Sequence, residues 1–162
     1  MRAGAYAAVR SRYRRGYGLG ARVGGPVPVI VDASALLAVI FAEPAGEAVQ
    51  DLLIRADVLG IGAPTLTEVS LVLCSRLGRD PMPMLGRILQ EFGVAVIPFS
   101  VEHWAEATDA FMRFGKGRHP AGLNFGDCMA YAVARLSGQP LLAVGDDFPQ
   151  TDVELVPVSR HR

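Results

Sequence analysis

Short, continuous apolar runs recur along this chain at residues 27–31 (VPVIV), 58–61 (VLGI), 94–98 (VAVIP), 141–144 (LLAV) and 153–158 (VELVPV). A strand with one wet face alternates apolar and polar residues; these runs do not alternate, so both their faces must be covered. Helical spacing fills the gaps, at 33–41, 45–56, 64–77, 81–92, 101–114 and 124–136, and Glu43-Pro44, Gly78, Gly93 and Ser137-Gly138 punctuate them. Pro64 suits a helix start. Ser100 is placed as an N-cap with Glu102 in the first turn behind it. Strands alternating with helices predict an α/β protein of three α/β/α layers around a short, mostly parallel central sheet.

A length of 162 residues fits one domain, expected over 27–158, with a tail at 159–162. Residues 1–26 read as a basic, flexible N-terminal extension rich in Gly, Arg, Ala and Tyr. Residues 1–31 hold six arginines (Arg2, Arg10, Arg12, Arg14, Arg15, Arg22) and no acid. The remainder, 32–162, therefore carries ten basic against 16 acidic residues, about −6, although the whole chain is neutral. A nucleic-acid-binding domain usually has a basic body; an acidic one needs a cation between itself and a phosphate backbone. The arm is open to two readings, an electrostatic RNA contact or an idle extension. Cys74 and Cys128 lie in separate apolar segments without a Cys/His cluster, so zinc and a disulfide framework are not expected. Buried free thiols fit a reducing compartment, and the expected location is cytoplasmic. No apolar run is long enough for a membrane span.

Three acids stand alone in apolar surroundings. Asp32 is the only acid in 1–42, Glu68 the only one in 58–79, and Asp127 the only one in 111–145. An unpaired buried charge is costly, so each needs compensation. Asp32 ends the first strand, and Asp146 and Asp147 follow the fourth, at the carboxyl edge where open parallel sheets gather ligands. Asp127 lies in the first turn of a helix whose start approaches that edge. Glu68 lies near the start of another, with Leu71 and Val72 as its i+3 and i+4 neighbours. A converging set of carboxylates calls for a hard cation, Mg2+ or Mn2+. Each acid also has a plain structural reading. Asp32 can N-cap the helix at Ala33, Asp127 can pair with Asn124 as a capping residue, Glu68 can face solvent, and Gly-Asp-Asp is an ordinary turn. All of these readings holding at one sheet edge would be a coincidence.

Residues 29–44 (VIVDASALLAVIFAEP), 64–69 (PTLTEV), 123–134 (LNFGDCMAYAVA) and 141–153 (LLAVGDDFPQTDV) resemble, in order, the motifs of a PIN-domain ribonuclease, the VapC-type toxin of a type II (VapBC) toxin–antitoxin system. The resemblance covers roughly 27–158 and implies a PIN-like fold. It places the catalytic acids on Asp32, Glu68, Asp127 and either Asp146 or Asp147, with Ser34 and Asn124 in support. It implies an endoribonuclease that hydrolyses RNA phosphodiester bonds, a VapB-like antitoxin as partner, and a homodimer. Asp32 and Asp127 would be the primary metal ligands; Glu68 with Asp146 or Asp147 would act through water or on a second ion.

Arg113, Lys116, Arg118 and His119 crowd the loop before the third motif and are candidates for gripping RNA, or are a solvated charged loop. His103, His119 and His161 are scattered, which argues against a metal-free His/His nuclease. Other chemistries fit less well. A haloacid-dehalogenase-type phosphatase needs Asp-x-Asp where Asp32 is followed by Ala33 and Ser34. A receiver needs a late-strand Lys, and the sole lysine, Lys116, is misplaced. No P-loop motif occurs. A non-catalytic PIN-like binding module remains the alternative, against which the retention of every acid counts.

Overall fold

The computed structural model describes residues 29–158. The expectations for the leader, for residues 27 and 28 of the first strand and for the 159–162 tail lie outside the described residues. In chain order the elements are β1 (Val29–Val31), α1 (Ala33–Ile40), α2 (Gly46–Arg55), β2 (Leu59–Gly62), α3 (Ala63–Leu77), α4 (Met82–Glu91), β3 (Val94–Ile97), α5 (Val101–Phe114), α6 (Phe125–Ser137) and β4 (Leu141–Leu142), followed by a 3-10 turn, Phe148–Gln150.

The four strands form one sheet in the order β3-β2-β1-β4, and every pairing is parallel. On β1, Ile30 stands opposite Gly60 on one side and Leu141 on the other. Successive strand residues enter opposite layers, as the pleat requires. Ile30 and Leu141 pack with Tyr131 and Val133 of α6 and Ala107 of α5. Val31 and Leu142 pack with Leu36 of α1, Val49 of α2 and Val69 and Leu73 of α3. β1, β2 and β4 are apolar because both faces lie inside a core, whereas the edge strand β3, expected to be covered on both faces, leaves Ala95 and Val96 exposed. β4 has only two ladder residues; full burial of Leu141 and Leu142, worth about 1.5–3 kcal/mol each, does most to hold it.

Gly62 at the end of β2 matters for the arrangement. A Cβ there would stand 2.9 Å from Val133 Cγ2, so its absence lets α6 seat against the sheet. That contact helps to bring the start of α6 to the same sheet edge as the end of β1.

Three expectations need correction. The strand expected over 153–158 is a single parallel bridge, Leu155 with Leu141. Two hydrogen bonds flank it, Leu141 N–H to Glu154 O and Val156 N–H to Leu141 O, and the ladder goes no further because its partner strand β4 ends at Leu142. β4 ends at Leu142 rather than Val144, because the Val144 N–H donates to the Ser34 hydroxyl instead of a strand. Cys74 is exposed, not buried, while Cys128 is buried, and both are free. The buried stripe of α3 runs through Thr65, Val69 and Leu73, and Cys74 falls one position beyond it. Among the described residues, no helix is long and apolar enough to cross a membrane.

Candidate active site

Asp32 sits where β1 gives way to α1, 4% exposed, and is the helix N-cap. Its Oδ2 accepts the Ser34 N–H at 3.0 Å and the Ser34 hydroxyl at 2.6 Å. The Ser34 hydroxyl in turn accepts the Val144 N–H at 3.0 Å. One serine thus ties the buried acid to the start of the segment that carries Asp146 and Asp147. Gly145, at φ +117°, turns that segment away from the sheet, in a conformation that side chains strain. Both aspartates are exposed.

Asp127 occupies the first turn of α6 in a reciprocal capping box. Its Oδ2 accepts the Asn124 N–H at 2.7 Å, and its own N–H donates to Asn124 Oδ1 at 3.1 Å. The capping readings of Asp32 and Asp127 are therefore correct as local structure. They do not use up the carboxylates: among the described residues, Oδ1 of Asp127 receives no hydrogen bond. Glu68 reaches the same place from α3. Its carboxylate lies directly over Gly126, where a Cβ would stand 2.8 Å from Cδ of Glu68. The absent side chain at 126 is what admits Glu68 beside Asp127. Of the two apolar neighbours noted for Glu68, Leu71 is 65% exposed while Val72 is half-buried.

The electrostatics join these acids into one group. Burial raises the pKa of Asp32 above the ordinary carboxylate range, opposed by the hydrogen bonds from Ser34 and Ala33 and reinforced by the charge of Asp147. Burial raises Glu68, and the charges of Asp32 and Asp127 add to it. Burial pushes Asp127 up to about 6 despite the Asn124 N–H, and Asp32 and Asp147 contribute. The charge of Asp147 thus acts on the buried Asp32 and the half-buried Asp127, whereas that of Asp146 acts on none of the three. No arginine or lysine among the described residues forms an ion pair with Asp32, Glu68, Asp127, Asp146 or Asp147. Hard oxygen donors, charged at a cost and lacking a cationic partner, fit a divalent ion. The acids feel one another's charge, but among the described residues no three acid, His or Cys groups stand close enough together to hold a metal ion as they are placed.

The basic candidates divide. Arg113 is engaged: its Nη2 donates to Asp152 at 2.6 Å, Nη1 lies 3.5 Å from Asp109, and its guanidinium stacks 4.5 Å from the Phe114 ring. Lys116 and Arg118 are exposed on a loop closed by Lys116 N–H to Leu123 O and Leu123 N–H to Phe114 O, just ahead of Asn124. Arg118 rests 5.6 Å over the Phe111 ring. Sequence reasoning missed three residues here. Gly126 and Tyr131 lie within the third motif, and Asp152 in the closing one. Tyr131 was findable as the only phenol in an apolar helix, one turn beyond Asp127.

A parallel sheet between two helical layers with acids at its carboxyl edge is in keeping with a PIN domain, and the PIN-domain family matches residues 29–154. Ribonuclease VapC36 of Mycobacterium tuberculosis is 48% identical over 127 residues, 78% of this chain and 91% of that protein. Ribonuclease VapC of Mycolicibacterium smegmatis is 38% identical over 128 residues, 79% of this chain and 99% of its own length. The chain belongs to the VapC ribonuclease family. The fold agrees with the crystal structure of Mycobacterium tuberculosis VapC20, a sarcin-ricin-loop-cleaving toxin, at TM-score 0.65 and 19% identity over 79% of this chain and 98% of that one. A toxin–antitoxin complex from Klebsiella pneumoniae is similar at TM-score 0.61 and 15% identity, over 82% of this chain and 99% of that one.

Proposed function

We propose that this protein is the toxin of a toxin–antitoxin pair, an endoribonuclease that hydrolyses RNA phosphodiester bonds with Mg2+ or Mn2+ and is held inactive by a VapB-like antitoxin. The observation that carries this reading is the trio Asp32, Glu68 and Asp127, each raised in pKa by burial, with no cationic side chain paired to any of them. Asp32 and Asp127 would hold the first ion; Glu68 and Asp147 would bind its waters or help to hold a second. When bound, a divalent ion lowers the pKa of a water and neutralises a phosphate oxygen. The protein's own contribution is placement: Ser34 fixes Asp32, Asn124 fixes Asp127, and Gly126 leaves room for Glu68.

RNA must approach across an acidic surface. Lys116 and Arg118 are positioned to meet its backbone. Phe125, 78% exposed between Asn124 and Gly126, offers a face on which an unpaired base can stack. Arg113 has no free role there, being committed to Asp152. The acidic body and uncompensated carboxylates suit an antitoxin segment that presents an arginine among them. Val101, Trp104 and Met112, 58–65% exposed on α5, support a homodimer.

Purified protein is expected to cleave RNA in Mn2+ or Mg2+, to stop with chelator and to resume when metal is restored. Cleavage indifferent to chelator, or none from folded, metal-loaded protein on any RNA tried, would overturn the reading.

A further inference from the structure

The segment that carries Asp147 has no regular structure to hold it. It leaves the sheet after β4, turns at Gly145 and passes through one 3-10 turn. Three pins hold it instead. The first is the Val144 N–H on Ser34, next to Asp32. The second is Phe148, buried at 4% exposure in the α5–α6 core. The third is Asp152. Its Oδ1 accepts the hydroxyl of Tyr131, and its Oδ2 accepts Arg113 Nη2 at 2.6 Å with Arg135 Nη2 at 3.9 Å. Arg113 ends α5; Tyr131 and Arg135 belong to α6. Tyr131 is fully buried, so its phenol must find a partner inside the fold.

Tyr131 is also four residues beyond Asp127, one turn along the same face of α6. The helix that presents Asp127 and the loop that presents Asp147 are therefore joined one turn behind the acids, through Tyr131 and Asp152. We infer that Asp152 is a positioning residue for the acidic site, clamping the closing segment to α6 through Tyr131 and Arg113 so that Asp147 stays within reach of Asp32 and Asp127. The inference rests on the nuclease reading above. Asp152 touches neither substrate nor metal; it acts through the geometry of Asp147.

The test is Mn2+ titration by calorimetry, well below the unfolding midpoint of every variant, with cleavage kinetics alongside. Asp152→Ala and Tyr131→Phe are each expected to weaken Mn2+ about tenfold, the usual cost of losing support behind a ligand. The catalytic constant kcat should fall by a similar factor while KM changes by less than about twofold, because RNA contacts are untouched. Tyr131→Phe removes one oxygen and keeps the ring, so it reports even if Asp152→Ala fails to fold. Val49→Ala, in the opposite layer, is the control: it should lose stability yet bind Mn2+ as wild type does. Wild-type affinity in Tyr131→Phe, or equal weakening in Val49→Ala, would overturn the clamp while leaving the nuclease reading intact. A wild-type protein that binds no Mn2+ would instead remove the nuclease reading, and the clamp with it.

Discussion

Asp127→Asn is expected to slow RNA cleavage at least about 10³-fold, about 4 kcal/mol of transition-state stabilisation, yet leave the metal-free protein as stable as wild type or more so. The two effects separate because Asp127 has two jobs. As a capping residue it accepts the Asn124 N–H at 2.7 Å, which an amide oxygen can also do. As a carboxylate it is charged where charge is disfavoured, with its pKa raised to about 6 by burial and by Asp32 and Asp147. The sign follows from that direction. The folded state holds the proton more tightly than the unfolded one, so stability falls as pH rises through the window from the ordinary carboxylate value to about 6. Above that window the penalty is complete, and below it there is none. The asparagine removes a penalty on the order of 1 kcal/mol at neutral pH, after allowance for the partial exposure of the group. Excess Mn2+ should reverse the ranking, because it stabilises only a protein that keeps its ligands. Thermal unfolding in chelator and then in Mn2+ measures both. A mutant clearly less stable in chelator would make Asp127 chiefly a structural cap. Mn2+ affinity should also weaken as pH falls toward about 6, where metal-free Asp127 takes up its proton and proton and metal compete for it.

The fourth acid gives the second large effect. Asp147→Asn should cut cleavage by about 10²-fold or more, and Asp146→Asn by no more than about threefold, the size of loss expected when a preorganised charge is or is not removed. The two residues are adjacent, both exposed, and chemically identical in sequence. They differ in that the charge of Asp147 raises the pKa of Asp32 and of Asp127, whereas Asp146 raises neither. Parallel single-turnover assays of the two variants check this. Equal losses, or a larger one in Asp146→Asn, would reverse the assignment.

What the sequence discloses follows the energetic cost of the residues involved. Parallel strands covered on both faces must be apolar throughout, so residues 29–31 and 59–61 stand out without any partner being known; 94–97 is as apolar, yet as an edge strand it leaves Ala95 and Val96 exposed. A carboxylate in an apolar stretch is expensive, so Asp32 and Asp127 announce themselves. Features made by distant pairs are silent. Gly126 looks like an ordinary first-turn glycine until Glu68 is found lying over it. Arg113 reads as a free cation beside a basic loop, because its partner Asp152 lies in the closing motif. The fifth strand failed through a distant contact: its apolar content is right, but its partner β4 stops at Leu142, where the Val144 N–H turns to Ser34. The choice between Asp146 and Asp147 depends on how Gly145 turns the chain, which residue types alone do not specify.

Mn2+ titration of wild type beside Asp32→Asn probes the acidic centre most directly. Asparagine keeps an oxygen for the two Ser34 hydrogen bonds, so the cap and the fold should survive, and cooperative unfolding verifies that they do. The expected result is saturable Mn2+ binding to wild type and no measurable binding to the folded variant. Undiminished binding in Asp32→Asn would contradict the assignment of Asp32 as a metal ligand and the active site built around it.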